Sequence, residues 1–266
     1  MVGGLVTGAH PDRAVIIATI DDAEHFSVED RAKIIASYSA HEVEARAKGI
    51  PVLGSGRIFP ISEDDIACDP IRDKDIPRHW KRLGAMDFGW DHPFGAVELL
   101  WDVDADIVYV AKALRQRQLT PILAAAALKP WGKDLPWMWP RDGRRDTQEG
   151  AGVALADQFK AQGLKMHMTH AQFDDGSVAV EAGLMQMLDR MQTGRFKVFR
   201  HLSEWFEEFR LYHREDSKIV KLMDDLLSAT RYGVMMLRYA RIVEDPETSK
   251  RYRRDRSESR GSAWAV

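Results

Sequence analysis

Apolar and polar positions change period several times along this chain, and each change marks an element. Residues 15–20, Val-Ile-Ile-Ala-Thr-Ile, form a continuous β-branched run that predicts a buried strand. Ser27 followed by Asp30 gives a capping-box-like start to a helix over 28–47, with Ile34, Ile35 and Tyr38 on one side. Gly49 and Pro51 stop it. Gly54 and Gly56 then mark a turn into the extended stretch Arg57-Ile58-Phe59-Pro60. Their spacing lacks the third glycine of a dinucleotide fingerprint and the Gly-Lys-Ser/Thr of a P-loop, so a structural turn is expected. Residues 62–79 are polar, carry Pro70 and Pro77, and read as a linker.

From Trp80 the pattern changes. Strands are expected over 82–88, 94–101 and 107–115; in the last, Ile107, Tyr109 and Ala111 alternate with Val108, Val110 and Lys112. The short turn between the second and third suggests a meander. Thr120 caps a helix with Pro121 at its first position, and that helix stops near Pro130. Residues 136–140, Pro-Trp-Met-Trp-Pro, form a short apolar strand ending at Arg141-Asp142-Gly143. A helix over 152–161, a strand over 164–168, a helix over 178–192 and an extended stretch over 195–199 follow. Trp205, Phe206 and Phe209 share one face of a helix over 203–213, and a turn then leads into Ile219-Val220. A last helix over 223–237 carries Asp224 and Asp225 in its first turn. Three strands, helix, strand, helix, strand and helices make an α/β protein: a mixed sheet with helices packed on it. Trp131, Trp137, Trp139 and Trp205 are assigned to its core. Residues 243–266 lack apolar periodicity, are rich in Arg and Lys, and read as a disordered basic tail.

Composition narrows the class. With 266 residues, 45% of them hydrophobic and 30% charged, the chain reads as one large globular domain or one domain plus a smaller piece. No apolar run approaches the ~20 residues of a membrane span, and the N-terminus has no secretory pattern. Cys68 is the single cysteine, which removes any internal disulfide framework or cysteine zinc cluster and makes a reducing setting the default. His167 and His170 are close but lack a Cys or carboxylate set at zinc-ligand spacing. The net charge of −3 does not by itself advertise nucleic-acid binding.

The candidate chemistry is acidic. Asp87 ends the first strand of the meander just before Gly89, and Asp142 follows the fourth strand just before Gly143. Taken alone, Asp87 reads first as a turn aspartate and Asp142 as a turn aspartate or a metal ligand alike, and Asp224 with Asp225 read first as favouring the positive end of a helix. If the first and fourth strands are neighbours, however, their ends share one sheet edge. Carboxylates converging there repel one another and raise each other's pKa unless a cation joins them. Oxygen ligands of high charge select Mg²⁺ or Mn²⁺ over zinc. Asp87-Phe88-Gly89 also spells the magnesium motif of protein kinases, but the order of motifs is reversed and the Gly-rich loop is missing. Arg141, Arg144, Arg145, Arg195 and Lys197 are cations suited to phosphate contact. Asp91 and His92 either line the site or sit in a solvated loop, and Arg231 and Tyr232 are read as packing residues.

At these residues the chain resembles the C-terminal nuclease part of the large terminase subunit of tailed bacteriophages and prophages. Gly84-Ala85-Met86-Asp87-Phe88-Gly89 with His92-Pro93, then Trp139-Pro140-Arg141-Asp142-Gly143, match its first two acidic motifs. Asp224-Asp225-Leu226-Leu227-Ser228-Ala229-Thr230-Arg231-Tyr232 resembles its closing signature, with Ser228 where a second Asp is usual. Upstream, 18–26 and 49–60 resemble the end of that family's ATPase domain, without the Walker segments. The resemblance implies a ribonuclease H-like mixed sheet flanked by helices. It divides the chain into an ATPase-domain remnant (1–61), a linker (62–79), a nuclease domain (80–242) and the tail (243–266). It implies an endonuclease that cuts concatemeric double-stranded viral DNA during genome packaging, in the host cell cytoplasm. Asp87, Asp142 and Asp224 would be catalytic, and these with Asp225 would ligate Mg²⁺ or Mn²⁺, as two ions. The small terminase subunit and the portal protein would be partners, with no membrane and no ATP hydrolysis by this chain alone. A ribonuclease H-like transposase or resolvase, and a catalytically silent docking fragment, are the alternatives.

Overall fold

In a computed structural model, residues 19–23, 25–38, 47, 56–144, 153–215, 218–220 and 223–243 are described. Most of the expected strand over 15–20, the second half of the helix expected over 28–47, Arg145 and nearly all of the basic tail lie outside them. Helix α1 spans Val28–Ser37, with the Ser27 side chain accepting the Asp30 N–H. It stops short of the expected end, because Tyr38 is already extended (φ −86°, ψ 145°).

Seven strands form one sheet: β1 (Ala67–Cys68), β2 (Lys81–Asp87), β3 (Phe94–Asp102), β4 (Ile107–Gln116), β5 (Pro136–Met138), β6 (Lys165–Met166) and β7 (Phe196–Phe199). Their spatial order is β1-β7-β4-β3-β2-β5-β6. β3 runs antiparallel to both neighbours, β2 and β4. The pairs β2–β5, β5–β6, β4–β7 and β1–β7 are parallel. All strands but β3 therefore point one way, and the ends of β2 and β5 reach the same edge. A small hairpin, β8 (Arg214–Glu215) with β9 (Lys218–Ile219), stands apart from this sheet.

The stretch expected to be a linker does more than connect. It supplies helix α2 (Glu63–Ile66) and the edge strand β1, with Ile66 fully buried and Phe59 just before it nearly so. A two-residue strand has no readable periodicity; its place comes from pairing with the distant β7.

Helices cover both faces. α3 (Pro121–Leu128) and α4 (Leu155–Ala161) lie over Met86, Phe94, Ala96 and Trp137. On the other face α5 (Val180–Gln192), α6 (Ser203–Leu211) and α7 (Asp225–Met235) pack on Leu83, Ala85, Val97 and Leu99. Alternate β2 residues thus enter opposite cores, as strand geometry requires. Thr120 and Pro121 start α3 as its sequence demands, the threonine side chain accepting the Leu123 N–H. Trp137, Trp139 and Trp205 are buried, and Trp205 donates its indole N–H to Thr230 at 3.0 Å, joining α6 to α7. Truncating such a tryptophan to alanine costs about 3–5 kcal/mol. No helix among the described residues is long and apolar enough to cross a membrane.

Candidate functional site

The site grows from the carboxyl end of β2. Asp87 is its last residue, opposite Gly95 of β3, which is in turn opposite Arg115 of β4. Beyond Asp87 the chain doubles back tightly: a Cβ on Gly89 would lie 2.2 Å from the Pro93 carbonyl oxygen. On the other side, β5 runs parallel to β2 and passes into a 3₁₀ turn, Arg141–Arg144, that carries Asp142. Gly143 lets this turn approach β2, since a Cβ there would meet the Phe88 ring at 2.5 Å. Asp142 is thereby held beside Asp87.

The third acidic segment arrives from above the sheet. Asp224 is the N-cap residue of α7 rather than a member of its first turn, and Asp225 is the first helical residue. The Asp225 backbone rests on β3, where a Cβ on Gly95 would sit 2.6 Å from its carbonyl oxygen. Gly95 is the register partner of Asp87, so the start of α7 lies over the end of β2.

The four carboxylates act on one another. Burial pushes Asp87 well above the usual carboxylate range, with Asp142, Asp224 and Asp225 pushing the same way, and Arg231 opposing them. Burial, then Asp224, raises Asp225 to about 6, while His92 and Arg115 draw it down. Asp225 Oδ2 is buried without a hydrogen-bond partner. Arg231 is buried too, with its guanidinium 4.4 Å from the Tyr232 ring centre, in the packing position expected of the pair.

The carboxylates stand more openly than a closed coordination sphere. Among the described residues, the acidic group whose ligand atoms all lie within 4.8 Å of one another is His79, Asp102 and Asp104. That group is at the β3–β4 turn, the opposite end of the sheet. Asp102 Oδ1 there already accepts the N–H groups of Asp104 and Ala105, and His79 Nε2 lies 3.6 Å from an Asp104 carboxylate oxygen at the exposed surface. Asp87, Asp142, Asp224 and Asp225 share an edge without forming so tight a set. An all-oxygen donor set with an unbonded buried oxygen suits a hard divalent cation.

The cations separate into two groups. Arg141 and Arg144 are exposed on the turn that carries Asp142. They also help to lower the pKa of nearby His170, after its burial. Beside them a cavity of about 280 Å³ is lined by Arg144, Lys160, His167 and Trp139, among others. Arg195 and Lys197, expected at the same surface, are committed elsewhere. Arg195 pairs with Asp106 at 2.9 Å, next to the start of β4, and Lys197 donates to the Asp65 carbonyl at 2.7 Å. Their charge suggested phosphate contact, but sequence alone does not reveal partners so distant.

Sequence reasoning passed over Glu208. This residue of α6 is fully buried and accepts the N–H groups of Leu226 and Leu227 at 2.8 and 3.0 Å. The available signal was a glutamate among Trp205, Phe206 and Phe209 on the apolar side of α6.

Comparison with known proteins agrees with this architecture. A family model for the terminase RNaseH-like domain matches residues 84–237. The large terminase subunit of Salmonella phage P22 is 47% identical over 232 residues, covering 87% of this chain and 46% of that protein. The large terminase subunit of Enterobacteria phage LP7 is 48% identical over 223 residues, covering 84% of this chain and 46% of its own length. The chain thus spans about half the length of these curated relatives. The solved P22 large terminase nuclease domain superposes with a TM-score of 0.65 at 45% identity, over 71% of this chain and 96% of that one. A large terminase from a thermophilic bacteriophage shares the fold at 17% identity, with a TM-score of 0.54 over 83% of this chain and 55% of its own.

Proposed function

This chain belongs to the terminase large-subunit family, in its ribonuclease H-like part, and from that premise we propose that it is a metal-dependent endonuclease cutting double-stranded DNA during viral genome packaging. The observation that carries the reading is the convergence of three acidic segments on the carboxyl edge of one sheet, at the ends of β2 and β5 and the start of α7. The relatives' nuclease and terminase names support the choice of reaction.

Asp87, Asp142 and Asp224 would hold Mg²⁺ or Mn²⁺, with Asp225 as a further oxygen donor. Two such ions would supply Lewis acidity to the scissile phosphate and acidify the attacking water. The chain's own residues do the rest. Burial and the neighbouring carboxylates disfavour the ionised forms of Asp87 and Asp225, and a bound cation would offset that repulsion and favour the carboxylates that would hold it. Arg231 supplies positive charge beneath Asp87. Arg141, Arg144 and Lys160 offer charge to the DNA backbone alongside, contacts that position DNA without reading its sequence.

Packaging also needs partners. We place the small terminase subunit and the portal protein among them, and the activity in the host cell cytoplasm, on the family's authority. Residues 1–61 would be the end of an ATPase domain. The alternatives are a ribonuclease H-like transposase or resolvase, which the relatives' terminase names argue against, and a silent docking fragment. Supercoiled plasmid incubated with Mn²⁺ tests the proposal. Cutting by the wild type that is lost in Asp87→Ala and Asp142→Ala supports it. Cutting that survives both substitutions contradicts the metal site, and a folded wild type that never cuts favours the docking role.

A further inference from the structure

We propose that Glu208 and Gly95 are positioning residues that hold the Asp224–Asp225 segment ready for the cation, an inference that rests on the metal-site reading above.

The first turn of any helix leaves backbone N–H groups without intrahelical partners. An N-cap side chain usually accepts one of them. Asp224 occupies the N-cap position of α7, yet its side chain makes no capping bond. The cap comes from another helix instead. Glu208 Oε2 takes the N–H groups of both Leu226 and Leu227. Its Oε1 accepts from Arg115 at 3.2 Å.

Arg115 closes a ring through the sheet. It pairs with Gly95, Gly95 pairs with Asp87, and the Asp225 backbone sits on Gly95. The path Asp87–Gly95–Arg115–Glu208–Leu226–Asp225 therefore links the first acidic segment to the third through backbone pairing, one ion pair and one cap. It does two things. It fixes the height of α7 above the sheet edge against the repulsion between Asp224, Asp225 and Asp87. It also commits the Leu226 and Leu227 N–H groups to Glu208, and Asp225 Oδ2 remains without a hydrogen-bond partner. An oxygen left in that state is a ligand in waiting.

A cap serving stability alone would leave metal affinity unchanged, so the test measures both. Mn²⁺ binding to the whole chain is followed by titration calorimetry, beside thermal melts and the Mn²⁺ dependence of plasmid cutting. We expect Glu208→Ala to weaken Mn²⁺ binding about ten-fold or more, the usual effect of losing a residue that orients metal ligands. Cutting should recover at saturating Mn²⁺. Glu208→Gln, which keeps an acceptor for both N–H groups, should restore most of the affinity. Gly95→Ala, whose Cβ would displace Asp225, should weaken binding as well and serves if Glu208→Ala does not fold. Trp205→Phe removes the bond to Thr230 in the same α6–α7 contact; it should lower the melting temperature without moving Mn²⁺ affinity. The inference is overturned if the folded Glu208 and Gly95 variants bind Mn²⁺ like the wild type, or if Trp205→Phe weakens binding equally. Asp87→Ala separates the two levels. If it too leaves Mn²⁺ binding intact, the metal site itself is wrong; if it abolishes binding while the Glu208 and Gly95 variants bind like the wild type, only the positioning ring fails.

Discussion

The ring of Phe88 lies where a Cβ on Gly143 would come within 2.5 Å of it. Phe88 follows Asp87 and Gly143 follows Asp142, so this one contact sets the spacing of the first two acidic segments. Gly143→Ala should push the 3₁₀ turn off β2. The expected result is a plasmid-cutting rate lower by about ten-fold, with a stability loss of about 1–3 kcal/mol from overpacking. Rates at saturating Mn²⁺ and a denaturant melt check it; unchanged cutting would show that the contact does not set the site.

Removing one charge from the cluster should stabilise the metal-free protein. Asp87 has a raised pKa, so its ionised form is disfavoured in the folded state. Asp87→Asn keeps the shape and drops the charge. At pH 8 without metal its melting temperature should exceed that of the wild type, while cutting is lost. A lower melting temperature would mean that Asp87 is stabilised by partners rather than strained by neighbours.

The pH dependence follows from Asp225, raised from 3.8 to about 6. Between those values the folded protein holds a proton that the unfolded chain has released. Its stabilising share is full below 3.8, falls as pH rises through 6, and is flat above. Metal-free melting temperatures should therefore show a decrease across that window that is reduced in Asp225→Asn. Mn²⁺ competes for the same oxygens, so its affinity should fall as pH drops below about 6. Mn²⁺ binding that is constant from about pH 5 to 8 would contradict this.

Basic residues at the site edge should behave differently from those at the far end. Arg141→Ala and Arg144→Ala should each weaken DNA binding and lower the slope of log affinity against log salt by about one. Arg195→Ala, which breaks the pair with Asp106, should change stability and leave the salt slope alone. Measuring DNA affinity at several salt concentrations decides it. Equal slopes in all three would remove Arg141 and Arg144 from the DNA path.

Much of this was legible in the sequence, for physical reasons. Strand alternation over 107–115 and the Thr120–Pro121 helix start are local signals, and the structure follows them closely. The three acidic motifs could be read because each couples a carboxylate to a local turn or helix start. What stayed hidden depends on partners far along the chain. β1 is two residues long and exists through β7. Arg195 finds Asp106, and Lys197 finds Asp65, only once the sheet has formed. Glu208 carried a signal that went unused, its place among Trp205, Phe206 and Phe209 on the apolar side of α6. Gly95 gave no signal at all until the start of α7 was seen resting on it.

Diffraction from crystals soaked in Mn²⁺, recorded for its anomalous signal, addresses the central claim most directly. We predict one or two strong peaks at the β2–β5 edge, with carboxylate oxygens of Asp87, Asp142 and Asp224 about 2.1 Å away. Strong peaks confined to His79, Asp102 and Asp104 at the opposite end of the sheet, with none beside Asp87, would contradict it.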